Sequence, residues 1–433
     1  MAILPMVNTI RTYEWGSHTE IPRLTGIENR GGEPMAELWM GAHPGAPSRV
    51  RDDDELVSLE EYLAREPGRR LGAVVSDRFA GRLPFLFKIL SAARPLSIQA
   101  HPSLQQAREG FRNEEEARIP REAFNRSYRD DNHKPELIRA VTEFWALRGF
   151  RSYDDIAFEL RGEEFAFLRE SALSLERDPG PASLEQLFVS LMSTPPEQVA
   201  EAARTRADAQ LTDLGPEDEY RMRARYEWIV RLHDVFGDDP GVAAPLYLNL
   251  VRLEPGEAMY LPAGTLHAYL SGTGVEIMAN SDNVIRGGLT RKHVDVDELT
   301  RTLVFEPDAP VRQRAPDDRA GVWHRFDTPA SEFVLDELVL DGAADRMRIA
   351  ESPEIVLVLD GEIRLSESDG DARRGAVDED TGGATAVDRS AAHVRLAAGA
   401  SAFVTADSPS YRLEGSGQVF VASVPIDTSG GAG

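Results

Sequence analysis

Residues 254–272 read EPGEAMYLPAGTLHAYLSG. Gly256 is followed six residues on by Pro262, then Gly264, then His267. Pro-x-Gly makes a tight turn between two short strand-like runs, and His267 begins the second. In a small jelly-roll barrel a histidine so placed points inward. A core histidine satisfied by hydrogen bonds is the plainer reading of the same residue.

Three further stretches bear on that choice. In SIQAHPSL (97–104), Ser97, Gln99 and His101 stand at every second position. A strand sends all three to one face, either toward water or around a metal. In YRDDNHKPELIRAV (128–141), Lys134 and Glu136 share strand parity. Glu136 directly precedes an apolar run, a poor place for a carboxylate unless it is paired or bound to metal. Gln99, His101, Glu136 and His267 together offer two imidazoles, a carboxylate and an amide. Two histidines with one carboxylate form a catalytic zinc set that leaves positions open. A glutamine as fourth ligand is unusual, but with a single carboxylate the metal stays a strong Lewis acid.

In VEIMANSDNVIRGGLTRKHVDVDEL (275–299), no acidic residue occurs from Val284 to Val294, in a chain with 73 of them. Arg286, Arg291 and Lys292 lie there beside Gly287 and Gly288, a composition suited to a phosphate group. A basic loop paired with the following acids is the alternative. Glu276 and Asp282 bring carboxylates to the same region. Of the 48 basic residues only Lys88, Lys134 and Lys292 are lysines, and each falls near the other candidate residues.

The rest of the chain fits a mainly β protein. Short strand-like runs with Gly/Pro turns fill residues 1–150 and return at 241–330 and 331–426, as in sandwiches and jelly rolls. PFLFKIL (84–90) is one such run, and residues 102–128 have helical character. Residues 151–240 are rich in Glu, Arg, Ala and Leu and read as a helical insertion. Ser183 with Gln186 and Thr194 with Glu197 fit capping boxes, and Pro195 suits a first helical position. Residues 366–392 are expected to be a flexible loop and 427–433 a disordered tail.

Composition bounds the function. The chain has 433 residues, 42% of them hydrophobic, and no cysteine, so any metal is held by N and O ligands. A net charge of −25 argues against nucleic-acid binding. Neither a signal peptide nor an apolar membrane span is evident, so a cytoplasmic protein without a membrane partner is expected.

The combination PFLFKIL, SIQAHPS, DDNHKPELI, LPAGTLHAYL and EIMANSDNVIRGGLT resembles the type I phosphomannose isomerases of the cupin superfamily, from YEWGS near residue 13 to about residue 300. Gly256 to His267 is similar to the second cupin motif, and the first is split by residues 102–135. The resemblance implies a catalytic cupin (1–150 with 241–330), the helical domain between, and a second, C-terminal cupin (331–426). Tyr411 stands there near the place of a cupin histidine, so no metal is expected in it.

The resemblance also implies one Zn²⁺ per chain on Gln99, His101, Glu136 and His267. It implies catalytic importance for Arg286, with Lys134 and Asp282 near the reacting carbons. Ser97, Lys88, Glu276 and Lys292 match positions lining the sugar-phosphate pocket. The expected reaction interconverts mannose 6-phosphate and fructose 6-phosphate through a cis-enediol, with the chain acting as a monomer on a small sugar phosphate. Lys134 and Asp282 compete as the base, and His133 would assist ring opening. A cupin isomerase of another sugar phosphate, a cupin oxygenase and a non-catalytic sugar-binding cupin are the other readings. The lysines and arginines near the site disfavour the oxygenase, which wants an apolar pocket.

Overall fold

The computed structural model describes residues 3–53, 55–214, 220–316, 321–343, 345–367, 393–408 and 410–426. Most of the expected loop 366–392 and the tail 427–433 therefore lie outside the described residues. The architecture is mainly β with a run of helices, the expected class. By compactness the chain divides into two units: Met1–Tyr13, His18–Ile89 and Arg314–Gly433 in one, and Glu14–Ser17 with Leu90–Gln313 in the other.

The second unit carries most of the residues singled out above. Its spine is the strand His267–Ala279, which serves two neighbourhoods. Residues 267–271 pair with Phe144–Phe150, and His267 is also opposite Gln99 of Ile98–Ala100. Residues 274–278 pair instead with Glu136–Ala140, which pairs onward with Glu257–Leu261. Gly272 makes the change of partner possible. Its φ is +121°, and a Cβ there would lie 2.6 Å from the Glu143 carbonyl oxygen. All five residues of Glu136–Ala140 are buried, which is why ELIRA reads as an apolar run broken only by charges that must find partners.

Helices Tyr153–Leu160, Arg169–Arg177, Pro181–Ser193, Pro196–Asp213 and Tyr220–Phe236 follow the strand Phe144–Phe150. Leu160, Leu184, Leu187, Leu191 and Leu232 share one core with Leu147 of the adjoining strand and with Leu246 and Leu266. At that level of burial a Leu→Ala change costs about 2–5 kcal/mol. Phe305 stacks on Phe150 at 5.5 Å, and Phe188 closes on both.

Two expected capping boxes are corrected. Pro181–Ser193 begins after Gly180, and Ser183 is already inside it, its hydroxyl donating to the Asp178 carbonyl at 2.6 Å. Pro196–Asp213 is capped by Pro195, not Thr194, so Pro196 is its first residue. In both cases a proline with preset φ opens the helix earlier or later than the side-chain pattern alone suggests. A capping box absent from the sequence reading does occur. Ser103 Oγ accepts the Gln106 N–H, and Gln106 Oε1 accepts the Ser103 N–H, opening Leu104–Glu116.

The first unit holds a sheet ordered His324–Phe326, Val334–Asp341, Ser410–Ser423, Glu354–Glu367, Ser401–Val404, Ile3–Val7, Arg49–Asp52, Glu55–Ser58. Its core includes Leu338, Val356, Val358, Leu413, Val419 and the fully buried Tyr411. Tyr411 donates to Glu354 Oε2 at 2.7 Å. Arg348 donates to Glu354 Oε1 at 2.8 Å and to Asp336 Oδ2 at 2.9 Å. The cation of this cluster is thus a guanidinium, 4.5 Å from the centre of the Trp323 ring.

Candidate metal centre and its surroundings

Register brings the candidate ligands together. His267 is directly opposite Gln99, and Gln99 is directly opposite Arg286 on its other side. Directly opposed residues of an antiparallel pair share a face, so His267, Gln99 and Arg286 stand in a row across three strands. Glu136 enters from the other neighbourhood of the long strand, opposite Met278, and Glu276 lies two places further along the same face.

His101, Glu136 and His267 each contribute one ligand atom to a group whose members all lie within 4.8 Å of one another. His101 Nε2 is 3.3 Å from Glu136 Oε1, and His267 Nε2 is 3.6 Å from Glu136 Oε2. All three residues are at most 2% exposed. His101 Nε2 and Glu136 Oε2 have no hydrogen-bond partner. Unsatisfied polar atoms at that depth are costly unless something else fills their coordination.

The outer nitrogens carry the protons and leave the inner ones as lone pairs. His101 Nδ1 donates to the Asn283 carbonyl at 2.7 Å, and His267 Nδ1 donates to the Thr265 carbonyl at 2.9 Å. Each bond places the proton on Nδ1 and aims the Nε2 lone pair inward. Burial lowers both imidazole pKa values, helped by Lys134 at His101 and by His101 at His267, which is pushed down to about 4. Burial alone would raise Glu136, but Lys134 at 3.1 Å and the two imidazoles outweigh it and hold the carboxyl well below the usual range. At neutral pH the site is therefore two neutral imidazoles and a carboxylate, the protonation state that binds a divalent cation.

The Gln99 amide nitrogen faces His267 Nε2 at 3.4 Å. Half a turn of the amide exchanges nitrogen for oxygen at that place, so Gln99 has an oxygen to offer a cation. Two nitrogens and one or two oxygens, with no sulfur, suit zinc among the first-row metals.

The remaining predicted residues are distributed around this centre. Lys134 is buried against Glu136. Arg286 is half-buried and Lys292 exposed; burial lowers both, with Arg129 the next cause at Arg286 and Arg286 then Arg129 at Lys292. Asp282 is exposed, its backbone N–H donated to Asp130 Oδ2 at 2.7 Å, and His133 is half-buried one residue before Lys134. Glu276 accepts from the Tyr269 hydroxyl at 2.7 Å, and Ser97 is half-buried just before the Gln99 strand. Lys88 belongs to the other unit, where it is buried and ion-paired with Glu37 at 3.1 Å.

Two residues escaped the sequence reading. Asn283, fully buried, holds the loop that follows Tyr128: its Oδ1 accepts the N–H groups of Arg129 at 2.7 Å and Asp130 at 3.2 Å, and its Nδ2 donates to the carbonyls of Asp130 and Asn132. Asp130 is the other, its carboxylate accepting from Ser281 Oγ and from the Asn132 and Asp282 N–H groups. An Asn beside Asp in a polar run reads as a turn, and only the fold reveals that it is buried.

Residues 3–153 match the family model described as phosphomannose isomerase type I, catalytic domain. The chain is 40% identical over 332 residues to the mannose-6-phosphate isomerase of Salmonella typhimurium, covering 76% of this chain and 82% of that protein. It is 32% identical over 393 residues to the human mannose-6-phosphate isomerase, covering 84% and 89%. Among solved structures, a zinc-bound holo form of mannose 6-phosphate isomerase superposes with a TM-score of 0.82 at 35% identity, covering 98% of this chain and all of the other.

Proposed function

The chain belongs to the type I phosphomannose isomerase family, and on that premise we propose that it interconverts D-mannose 6-phosphate and D-fructose 6-phosphate through a cis-enediol, using one zinc ion held by His101, Glu136, His267 and Gln99. The observation that carries the metal assignment is the pair of buried, unpartnered atoms, His101 Nε2 and Glu136 Oε2, beside a second inward-facing imidazole. Zinc bound there supplies Lewis acidity toward the oxygens on the reacting carbons.

The other steps fall to side chains. The sugar enters as a ring, and His133 assists its opening by moving a proton between the ring oxygen and O1. In the open aldehyde the proton on C2 is acidified by the neighbouring carbonyl. Lys134 or Asp282 takes it, leaving a cis-enediol whose charge on oxygen is met by the fixed guanidinium of Arg286. The proton then returns to C1, the O2 proton passes to O1, and the ketose is formed. Burial of Lys134 against Glu136 favours it over the exposed Asp282. Lys292 binds the phosphate, and Ser97 and Glu276 complete the substrate pocket. We take the chain to act as a cytoplasmic monomer without nucleic-acid or membrane partners. Among the described residues no helix is long and apolar enough to cross a membrane.

The test is a coupled assay for fructose 6-phosphate from mannose 6-phosphate, run on native, chelator-stripped and zinc-restored protein. Loss on stripping and recovery with zinc is the expected result. A fully zinc-loaded protein without turnover would overturn the substrate assignment.

A further inference from the structure

We propose that Arg129 is a third cation of the phosphate subsite, acting with Arg286 and Lys292 on the dianion of the substrate; the proposal rests on the sugar-phosphate reading above. Nothing in the sequence patterns marks Arg129, which precedes an acidic pair and looks like part of a solvated loop.

The backbone of Arg129 is fixed beside the loop that leads to Arg286. Its N–H is donated to Asn283 Oδ1 at 2.7 Å, and Asn283 lies three residues before Arg286. The preceding residue is anchored as well, Tyr128 OH donating to Glu298 at 2.5 Å. The main chain is therefore held on both sides while the Arg129 side chain stays exposed. From that place its charge is felt by both other cations, since it is among the causes that lower Arg286 and Lys292.

The charge pattern points to a missing anion. Among the described residues, Arg129, Arg286 and Lys292 have no carboxylate partner, in a chain with 73 acidic residues. Arginines elsewhere are generously paired: Arg126 with Glu114 and Glu115, Arg348 with Asp336 and Glu354. Three like charges that repel one another and lack carboxylates are stable together only at a cost, and an anion among them removes it. A phosphomonoester carries about −1.5 to −2 charges at pH 7 with three acceptor oxygens, enough to engage all three. The guanidinium adds a planar fork that lysine lacks.

The experiment uses the zinc-loaded full chain as wild type, Arg129→Ala and Arg129→Lys. Steady-state kinetics with mannose 6-phosphate give KM and kcat separately, and titration calorimetry with inorganic phosphate gives binding without turnover. Loss of one charge-assisted contact to phosphate predicts a rise of about ten- to a hundredfold in KM and in the phosphate Kd for Arg129→Ala. In the same variant kcat stays within about threefold, the melting temperature is unchanged, and Arg129→Lys recovers part of the loss. KM and phosphate Kd both within twofold of wild type in Arg129→Ala would overturn the proposal, as would a fall in kcat with phosphate binding intact. If wild type binds phosphate, Arg129→Ala weakens that binding and neither turns over mannose 6-phosphate, the subsite stands and the substrate assignment falls.

Discussion

His101 Nδ1 is bonded to the main-chain oxygen of Asn283 at 2.7 Å, while the Asn283 side chain ties down residues 129–132. One buried residue thus orients His101 through its backbone and holds the Arg129 loop through its amide. Asn283→Ala keeps the carbonyl but removes what positions it. Groups outside the ligand set typically tune metal affinity by about 10–100-fold. Zinc affinity of Asn283→Ala, measured by competition with a chromophoric chelator, is expected to fall within that range. Stability should fall by about 2–4 kcal/mol as buried partners lose their bonds. Unchanged zinc affinity would show that the loop does not help aim His101.

The imidazoles make the metal-free protein acid-sensitive in a defined window. Burial and His101 push His267 down to about 4 in the folded chain, against about 6.5 for a free histidine. A folded pKa below the unfolded one means the unfolded chain binds the extra proton first. The stabilising contribution is full above about pH 6.5 and is lost as pH falls through 4, on the order of 3 kcal/mol for such a shift. Urea midpoints of the metal-free protein should hold steady from pH 8 to 7 and decline from 6.5 to 4. In His267→Ala that decline should be shallower, and equal slopes in the two proteins would contradict the assignment.

The candidate metal cluster was largely legible in the sequence because Gln99, Glu136 and His267 sit on strands and His101 directly follows one. Gln99 and His101 share a face by alternation, and Glu136 announces itself by preceding an apolar run. What the strands could not reveal is carried by loops. Asn283, Asp130 and Arg129 act through contacts between segments about 150 residues apart, and no local period encodes such contacts. The surroundings of Lys88 were hidden for the same reason, since its partner Glu37 lies 51 residues away. The helix starts at Gly180 and Pro195 were misjudged because two proline-led openings competed with side-chain capping patterns.

In the other unit the cluster of Arg348, Glu354, Asp336 and Tyr411 predicts a sharp contrast between two variants. Arg348→Ala leaves the buried Glu354 without its cation, while Asp336 keeps Arg325, and should cost about 3–5 kcal/mol. Arg348→Met combined with Glu354→Gln removes both charges, keeps an acceptor for Tyr411, and should recover much of that loss. Calorimetric unfolding of the three proteins checks this. Equal destabilisation by the single and double changes would mean packing against Trp323, rather than charge, is what Arg348 provides.

The choice of base comes down to the difference in setting between Lys134 and Asp282. Lys134 is buried with Nζ 3.1 Å from the Glu136 carboxylate, whereas Asp282 is exposed and held by its backbone to Asp130. General-base catalysis typically contributes about 10²–10⁴-fold. Lys134→Met should therefore lower kcat by at least about a hundredfold, and Asp282→Asn by about tenfold or less. Because Lys134 also contacts Glu136, the zinc content of Lys134→Met must be measured alongside. A fully loaded variant that is slow isolates the proton transfer from the metal. Exchange of the substrate C2 proton in deuterated water, followed by NMR, reads the same step directly. Exchange abolished in Asp282→Asn but kept in Lys134→Met would transfer the role to the aspartate.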